Sequence, residues 1–214
     1  MKTVAPRPGL LERLAAPRLV SEVDAQQTQV VRLPGFLNVA EQQELHKAAA
    51  RVHAEAGAHF GLAEGNWRTT FFNQRLPALL PDLWERLVLA MRRADAEHWQ
   101  VLDEQREMLS LRSAEYHVIL PTGGLPIEKH LDYGSLITID LMLSSTSDFE
   151  GGRFQTLEAD GHSQEHTFER GDALIFLSHK YHCVSPGVQG WIHTQVLQGH
   201  RSIRLRHACA SCSI

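Results

Sequence analysis

The chain has 214 residues, enough for one well-filled domain and too short for two ordinary ones. A hydrophobic fraction of 43% and a charged fraction of 21% are those of a globular protein and exclude a disordered chain. A net charge of −4 and the lack of any long apolar run argue against nucleic-acid and membrane partners.

The first twenty residues hold four basic residues and one acid, but Pro6, Pro8 and Pro17 break any helix, so they are expected to be an N-terminal arm rather than a transit peptide. Leu33-Pro34-Gly35-Phe36-Leu37-Asn38 then leads into a predicted helix over residues 39–56. Leu45, Ala48, Ala49 and Val52 recur there at helical spacing, Asn38 and Glu41 form a capping box, and Gly57 closes the segment. Residues 67–73, with Trp67, Arg68, Phe72 and Asn73, read as a strand or extended loop and as candidates for a pocket wall or for ordinary packing. A second helix is predicted over 80–100, with Leu83, Leu87, Leu89, Ala90 and Ala94 as its apolar stripe and Arg92–Arg93 on a solvated face.

Near residue 110 the pattern changes to short strands. They are predicted at 115–120, 136–143, 153–157, 165–169, 173–177, 193–197 and 202–207, punctuated by turns at 121–124, 150–152, 159–161, 170–172 and 186–187. Helices followed by many short strands indicate an α+β chain with a β-barrel or jelly-roll core. The expected organisation is one domain: a helical and extended region (1–110) packed on a core (111–208), with a tail (209–214). Cys183, Cys209 and Cys212 make no disulfide framework, so a reducing compartment, the cytoplasm, is expected. Cys209-Ala-Ser-Cys212 lacks a second pair to complete a zinc site and reads as tail.

His130-Leu131-Asp132 is the candidate metal motif. With 13 histidines and 25 acids, about 1.5 such His-x-acid matches are expected by chance, and His53-Ala54-Glu55 is a second one. Context separates them. His53 and Glu55 fall inside a helix, where residues two apart diverge. His130 and Asp132 fall just before a predicted strand, where residues two apart share a side. A third ligand from a distant strand would complete a two-histidine, one-carboxylate face with open positions. His182, after the buried segment 173–177, is the natural third ligand, with His179 as its decoy. His162-Ser163-Gln164-Glu165-His166 matches a zinc-protease pattern, but that chemistry needs a helix where a strand is expected.

Tyr116, His130-x-Asp132, Leu143-Ser144, Phe149-Glu150-Gly151-Gly152-Arg153-Phe154, Gly171-Asp172-Ala173, His182-x-Val184-x-Pro186 and Gly199-His200-Arg201 follow one another in a set order. In that order they resemble the prolyl 4-hydroxylase-like branch of the iron(II)/2-oxoglutarate-dependent oxygenases, over about residues 112–208, with Pro34-Gly35-Phe36-Leu37 as a weaker echo. The resemblance implies a double-stranded β-helix (jelly roll) preceded and flanked by N-terminal helices. It implies iron(II) on His130, Asp132 and His182, with 2-oxoglutarate as co-substrate, dioxygen as oxidant and ascorbate as an optional addition. Arg201 would clamp the far carboxylate of 2-oxoglutarate and Tyr116 would hydrogen-bond it. The family's arginine follows the distal histidine by about ten residues, near Ile192 here, so Arg201 requires a long hairpin over about 187–197. The implied activity is hydroxylation of an aliphatic C–H on a prolyl or other amino-acid or peptide side chain, or on a small molecule, with release of succinate and CO2. The alternative is a non-catalytic, cupin-like protein that binds a metal or small ligand. Oligomeric state is left open.

Overall fold

The structure, a computed structural model, describes residues 25–56, 59–60, 67–102, 107–120, 125–167, 169–190 and 192–203. Strand β1 (Val31–Leu33) precedes helix α1 (Val39–Ala56). The capping box forms: the Asn38 backbone N–H donates to Glu41 Oε2 (2.9 Å) and the Glu41 N–H to Asn38 Oδ1 (3.0 Å). Strands β2 (His59–Phe60) and β3 (Trp67–Phe71) follow, then a 3-10 turn, α2 (Leu76–Leu79) and α3 (Pro81–Ala94). The predicted second helix starts at Pro81, where proline is tolerated, and runs into a π-turn over 95–99 that stops at Gln100 in the left-handed region. Its buried stripe is Leu83, Leu87, Met91 and Ala94, whereas Leu89 is exposed.

The remaining chain is β4 (Glu107–Ile119), β5 (Leu125–His130), β6 (Ile137–Met142), β7 (Phe149–Gly151), β8 (Phe154–Leu157), β9 (Ser163–His166), β10 (Ala173–Leu177), β11 (His182–Val184), β12 (Gly187–Gly190) and β13 (Ile192–Ile203). A seven-stranded sheet has the order β1-β10-β6-β13-β4-β3-β2, and a four-stranded sheet the order β5-β11-β8-β9. The chain alternates between them: β4, β6, β10 and β13 belong to the large sheet, and β5, β8, β9 and β11 to the small one. β1 and β3, from the region ahead of residue 110, are strands of the same large sheet.

The two faces of the large sheet differ. Ile137, Ile139 and Leu141 of β6, Ala173, Ile175 and Leu177 of β10, and Leu111, Ala114 and Tyr116 of β4 form one apolar core with Leu45, Ala49 and Val52 of α1 and Leu83, Leu87 and Met91 of α3. The alternate residues turn inward, where Met142, Leu174, Phe176 and Ile119 meet Phe154 of the small sheet. Phe154 and Phe176 have ring centroids 5.4 Å apart. Gly171 shows how tightly the entry segment is tied to the sheet. It has a φ of +91°, its carbonyl accepts from the Leu37 N–H (2.7 Å), and a Cβ there would fall 2.7 Å from the Leu37 carbonyl oxygen. Asp172 beside it accepts from Arg32 Nε and the Gly35 N–H, both at 2.8 Å.

Two expectations for the last strands change. The predicted strands 193–197 and 202–207 are one strand, β13, as far as residue 203, and residues 204–214 lie outside the described part. Among the described residues, β12 and β13 do not pair with each other as the expected hairpin over 187–197 would require. β12 pairs instead with β7, and β13 runs straight between β4 and β6, with a bulge at Gln198/Gly199. Backbone pairing of both β13 edges outweighs local hairpin closure here.

Candidate metal centre

His130 ends β5 and is the direct antiparallel partner of His182, the first residue of β11. Cross-strand partners share a face, so the two imidazoles meet with centroids 4.9 Å apart, edge to face. Asp132 is not on the strand face expected of it. It lies in the turn that follows β5, its N–H donating to the Ser178 carbonyl at 3.0 Å. The turn brings its carboxylate back over the histidine pair. Asp132 Oδ1 is 3.4 Å from His130 Nε2 and 3.8 Å from His182 Nε2. One donor atom from each of the three lies within 4.8 Å of the other two. Two imidazole nitrogens and one carboxylate oxygen facing a common point are the donor set for a divalent first-row metal. His179 is outside the group, and its carbonyl accepts from Gln26. Residues 163–166 are strand, so the zinc-protease pattern has no helix to act through. His53 and Glu55 stay in α1, with Glu55 paired to Arg51 and Arg75.

Neighbouring groups hold the ligands in place. Thr138 Oγ1 of β6 donates to Asp132 Oδ2 (2.6 Å) and meets Ser178 Oγ (2.8 Å), which leaves Oδ1 toward the histidines. His182 Nδ1–H donates to the Lys180 carbonyl (3.0 Å), so Nε2 carries the lone pair that a metal needs. Lys180 is itself fully buried, its Nζ on Glu158 Oε2 (2.8 Å) and the Gln26 carbonyl (3.0 Å). Burial pushes the His182 pKa down, which keeps the ring neutral and ready to ligate. Burial alone would raise Asp132, but the neighbouring His130 and His182 and the Thr138 hydroxyl together bring it below the ordinary carboxylate value.

Further along the inner face lies a polar row that sequence reasoning missed. Glu115 and His117 of β4 and Asp140 of β6 all point inward. Burial drives the His117 pKa down to about 4, and its Nδ1 accepts from Trp67 Nε1 and contacts Thr69 Oγ1, both at 2.9 Å. Burial raises Glu115, partly offset by a hydrogen bond from Ser113. The signal was available, because an aspartate inside Ile-Thr-Ile-Asp-Leu-Met breaks an otherwise apolar strand.

Tyr116 falls on the opposite side of β4. Its hydroxyl bonds His46 Nδ1 of α1 (2.7 Å), its ring meets Phe72 edge to face, and burial pushes its pKa up to about 12. The backbone of Arg201 stands opposite Leu109, seven residues and about 23 Å along β4 from Tyr116. Of the other wall candidates, Trp67 reaches the inner face through His117, Phe72 joins the helix-side core, and Asn73 Oδ1 accepts from Ser113 and from the Ala114 N–H.

No protein-family model matches the chain, and no curated protein matches it. Solved structures do. An oxidoreductase of the 2OG-Fe(II) oxygenase family from Burkholderia pseudomallei superposes with a TM-score of 0.59 at 14% identity, over 92% of each chain. A prolyl hydroxylase from Trichoplax adhaerens, in complex with a hypoxia inducible factor peptide fragment, gives 0.60 at 14% identity, covering 90% of this chain and 93% of that one. The chain has the 2OG-Fe(II) oxygenase fold. The epimerase SnoN, in complex with Fe3+, alpha ketoglutarate and nogalamycin RO, gives 0.60 at 16% identity, over 91% of this chain and 86% of the other. This fold therefore serves hydroxylation and epimerisation alike, and the reaction of any one member is decided by its site.

Proposed function

We propose that the protein is a non-haem iron(II), 2-oxoglutarate-dependent dioxygenase that oxidises an aliphatic C–H bond of an amino-acid, peptide or other small substrate. The observation that carries this is the convergence of His130, Asp132 and His182 at the inner end of the two sheets. The strand order is read as the double-stranded β-helix, with residues 111–208 as the catalytic core. Bound iron and 2-oxoglutarate would supply the oxidising chemistry, coupling decarboxylation of the co-substrate to oxidation of the substrate.

The chain's own groups do the rest. His130, Asp132 and His182 would hold the iron, each offering one donor atom. Thr138 and Ser178 hold Asp132 with Oδ1 turned to the two histidines, and the Lys180 carbonyl sets the His182 tautomer. Phe154, Phe176 and Leu174 keep the interior apolar and exclude water. Tyr133, two-thirds exposed directly after Asp132, is the large apolar side chain next to the candidate ligands that is free to meet a substrate. Solved structures of this fold are in complex with molecules as different as a peptide fragment and nogalamycin RO, which supports a broad substrate class rather than prolyl residues alone.

The test is an anaerobic titration with iron(II) and 2-oxoglutarate, followed by the visible charge-transfer absorption of the chelate. The band is expected with wild type and absent with His130→Ala. In air, 2-oxoglutarate should then be consumed to succinate. Metal uptake without the band would instead identify a binding protein.

A further inference from the structure

The turn that leads into His182 is held from two directions. On the side of the small sheet, the Leu157 N–H of β8 donates to the Tyr181 carbonyl (3.0 Å), and Lys180 Nζ reaches Glu158 Oε2 (2.8 Å). On the other side stands one residue from the start of the described chain. Gln26 lies ahead of β1, 153 residues before His179. It sits in a short bend closed by the Thr28 N–H and hydroxyl, which donate to the Ala25 carbonyl at 3.1 and 2.6 Å. Its Nε2 donates to the His179 carbonyl (3.1 Å), and its Oε1 accepts from the Tyr181 N–H (3.1 Å). Its own carbonyl accepts from Lys180 Nζ (3.0 Å).

The Gln26 amide thus brackets Lys180, with one end on the peptide before it and the other on the peptide after it. Only a side-chain amide carries a donor and an acceptor so placed. The second of these peptides is the one that matters for the metal centre. The Tyr181 N–H and the Lys180 carbonyl are the two ends of a single planar unit, so fixing the first fixes where the second points. That carbonyl accepts the His182 Nδ1–H at 3.0 Å. An N–H that donates also polarises its peptide and makes the carbonyl a better acceptor. Strand pairing with His130 sets the His182 backbone, but the last torsion of a histidine is soft, and the ring needs a partner at Nδ1 to aim Nε2. Gln26, Lys180 and His182 are all buried.

We propose that Gln26 is a positioning residue of the metal centre, clamping the Lys180–Tyr181 peptide so that its carbonyl receives the His182 Nδ1 proton and keeps Nε2 turned to the metal. This rests on the metal centre of the function proposed above. It gives the segment ahead of β1 a direct hold on a ligand that lies far along the chain.

The experiment loads the protein with cobalt(II) and compares wild type with Gln26→Met, Gln26→Asn and Gln29→Ala. Gln26→Met keeps the length of the side chain and removes both amide bonds, and Gln26→Asn is too short to span residue 180. Gln29→Ala is the control, because it loosens the same segment at His98 (2.6 Å) instead of at the turn. Chelator competition gives the cobalt affinity. Proton spectra in water follow the hyperfine-shifted His182 Nδ1–H and its exchange with solvent, and thermal melting reports folding. Gln26→Met should weaken cobalt binding about tenfold or more and speed exchange of that proton. Gln26→Asn should do the same to a smaller extent, and it decides the matter alone where Gln26→Met does not fold. Gln29→Ala should change neither quantity. Wild-type affinity and exchange in folded Gln26 variants would overturn the inference. So would affinity losses that track melting temperature equally in the Gln26 and Gln29 variants with exchange unchanged, since Gln26 would then only stabilise the fold. No cobalt uptake by wild type would overturn it together with the metal centre, whereas cobalt uptake without 2-oxoglutarate binding would sink the oxygenase reading alone.

Discussion

The two faces of the large sheet are built from the same strands and differ in almost everything else. Along β6 all six residues are buried, yet Ile137, Ile139 and Leu141 meet the helices, whereas Thr138, Asp140 and Met142 turn toward the metal ligands. Along β4, Ala114 and Tyr116 belong to the helix side, and Ser113, Glu115 and His117 to the inner side. The helix side satisfies its few polar groups internally, as Tyr116 does with His46. The inner side keeps a carboxyl oxygen with no partner among the described residues, and three carboxyl groups within mutual influence. Burial alone does not separate scaffold from site here. What separates them is that the inner side gathers the ionisable groups, Glu115, His117 and Asp140, beside His130, Asp132 and His182.

If this contrast is right, substitutions on the two faces should fail differently. Ile139→Ala, on the helix side, should cost about 2–5 kcal/mol of stability, read by chemical denaturation, while the folded fraction keeps its metal affinity. A loss of metal affinity there would break the contrast. Lys180→Met removes the buried ammonium that anchors the turn before His182. It should weaken metal binding about 10- to 100-fold, measured by competition with a chelator, and Lys180→Arg should recover part of it.

Asp140→Asn should stabilise the protein, and the sign follows from linkage. The folded Asp140 binds its proton more tightly than the unfolded chain does. Wild-type stability is therefore fully present below the ordinary aspartate pKa and is lost as pH rises through the folded value. Asparagine has no such loss, so the gain in melting temperature should be larger at pH 9 than at pH 5. A constant gain would mean that Asp140 does not titrate in this window. The smallest effect is expected from Tyr116→Phe. It removes one hydrogen bond, worth about 0.5–1.5 kcal/mol, and should leave 2-oxoglutarate affinity unchanged. A large change in that affinity would return Tyr116 to the site.

Local patterning was enough for the helix over 39–56 and its capping box, and for the buried strand 173–177, because their signals are short-range. It erred where pairing partners decide. The segment 80–100 looked like one helix, and Leu89 belonged to its apolar stripe by spacing, but packing against the sheet chose Met91. Residues 187–203 offered a hairpin, and two waiting strand edges drew them into β12 and β13 instead.

The three candidate ligands could be nominated from their order within the family resemblance, because a His-x-acid match by itself is expected by chance in a chain with 13 histidines and 25 acids. How they meet could not. His130 and His182 face one another because β5 and β11 pair in one register, and Asp132 joins them through a turn rather than along a strand. Tyr116 and Asp140 show the same limit from opposite sides. A shift of one residue along β4 sends a side chain to the other face of the sheet, and no local signal says which face holds the metal. Residue chemistry is written in the sequence, but the neighbours that raise the Asp140 pKa and bond Tyr116 to its histidine come from strands and helices far along the chain.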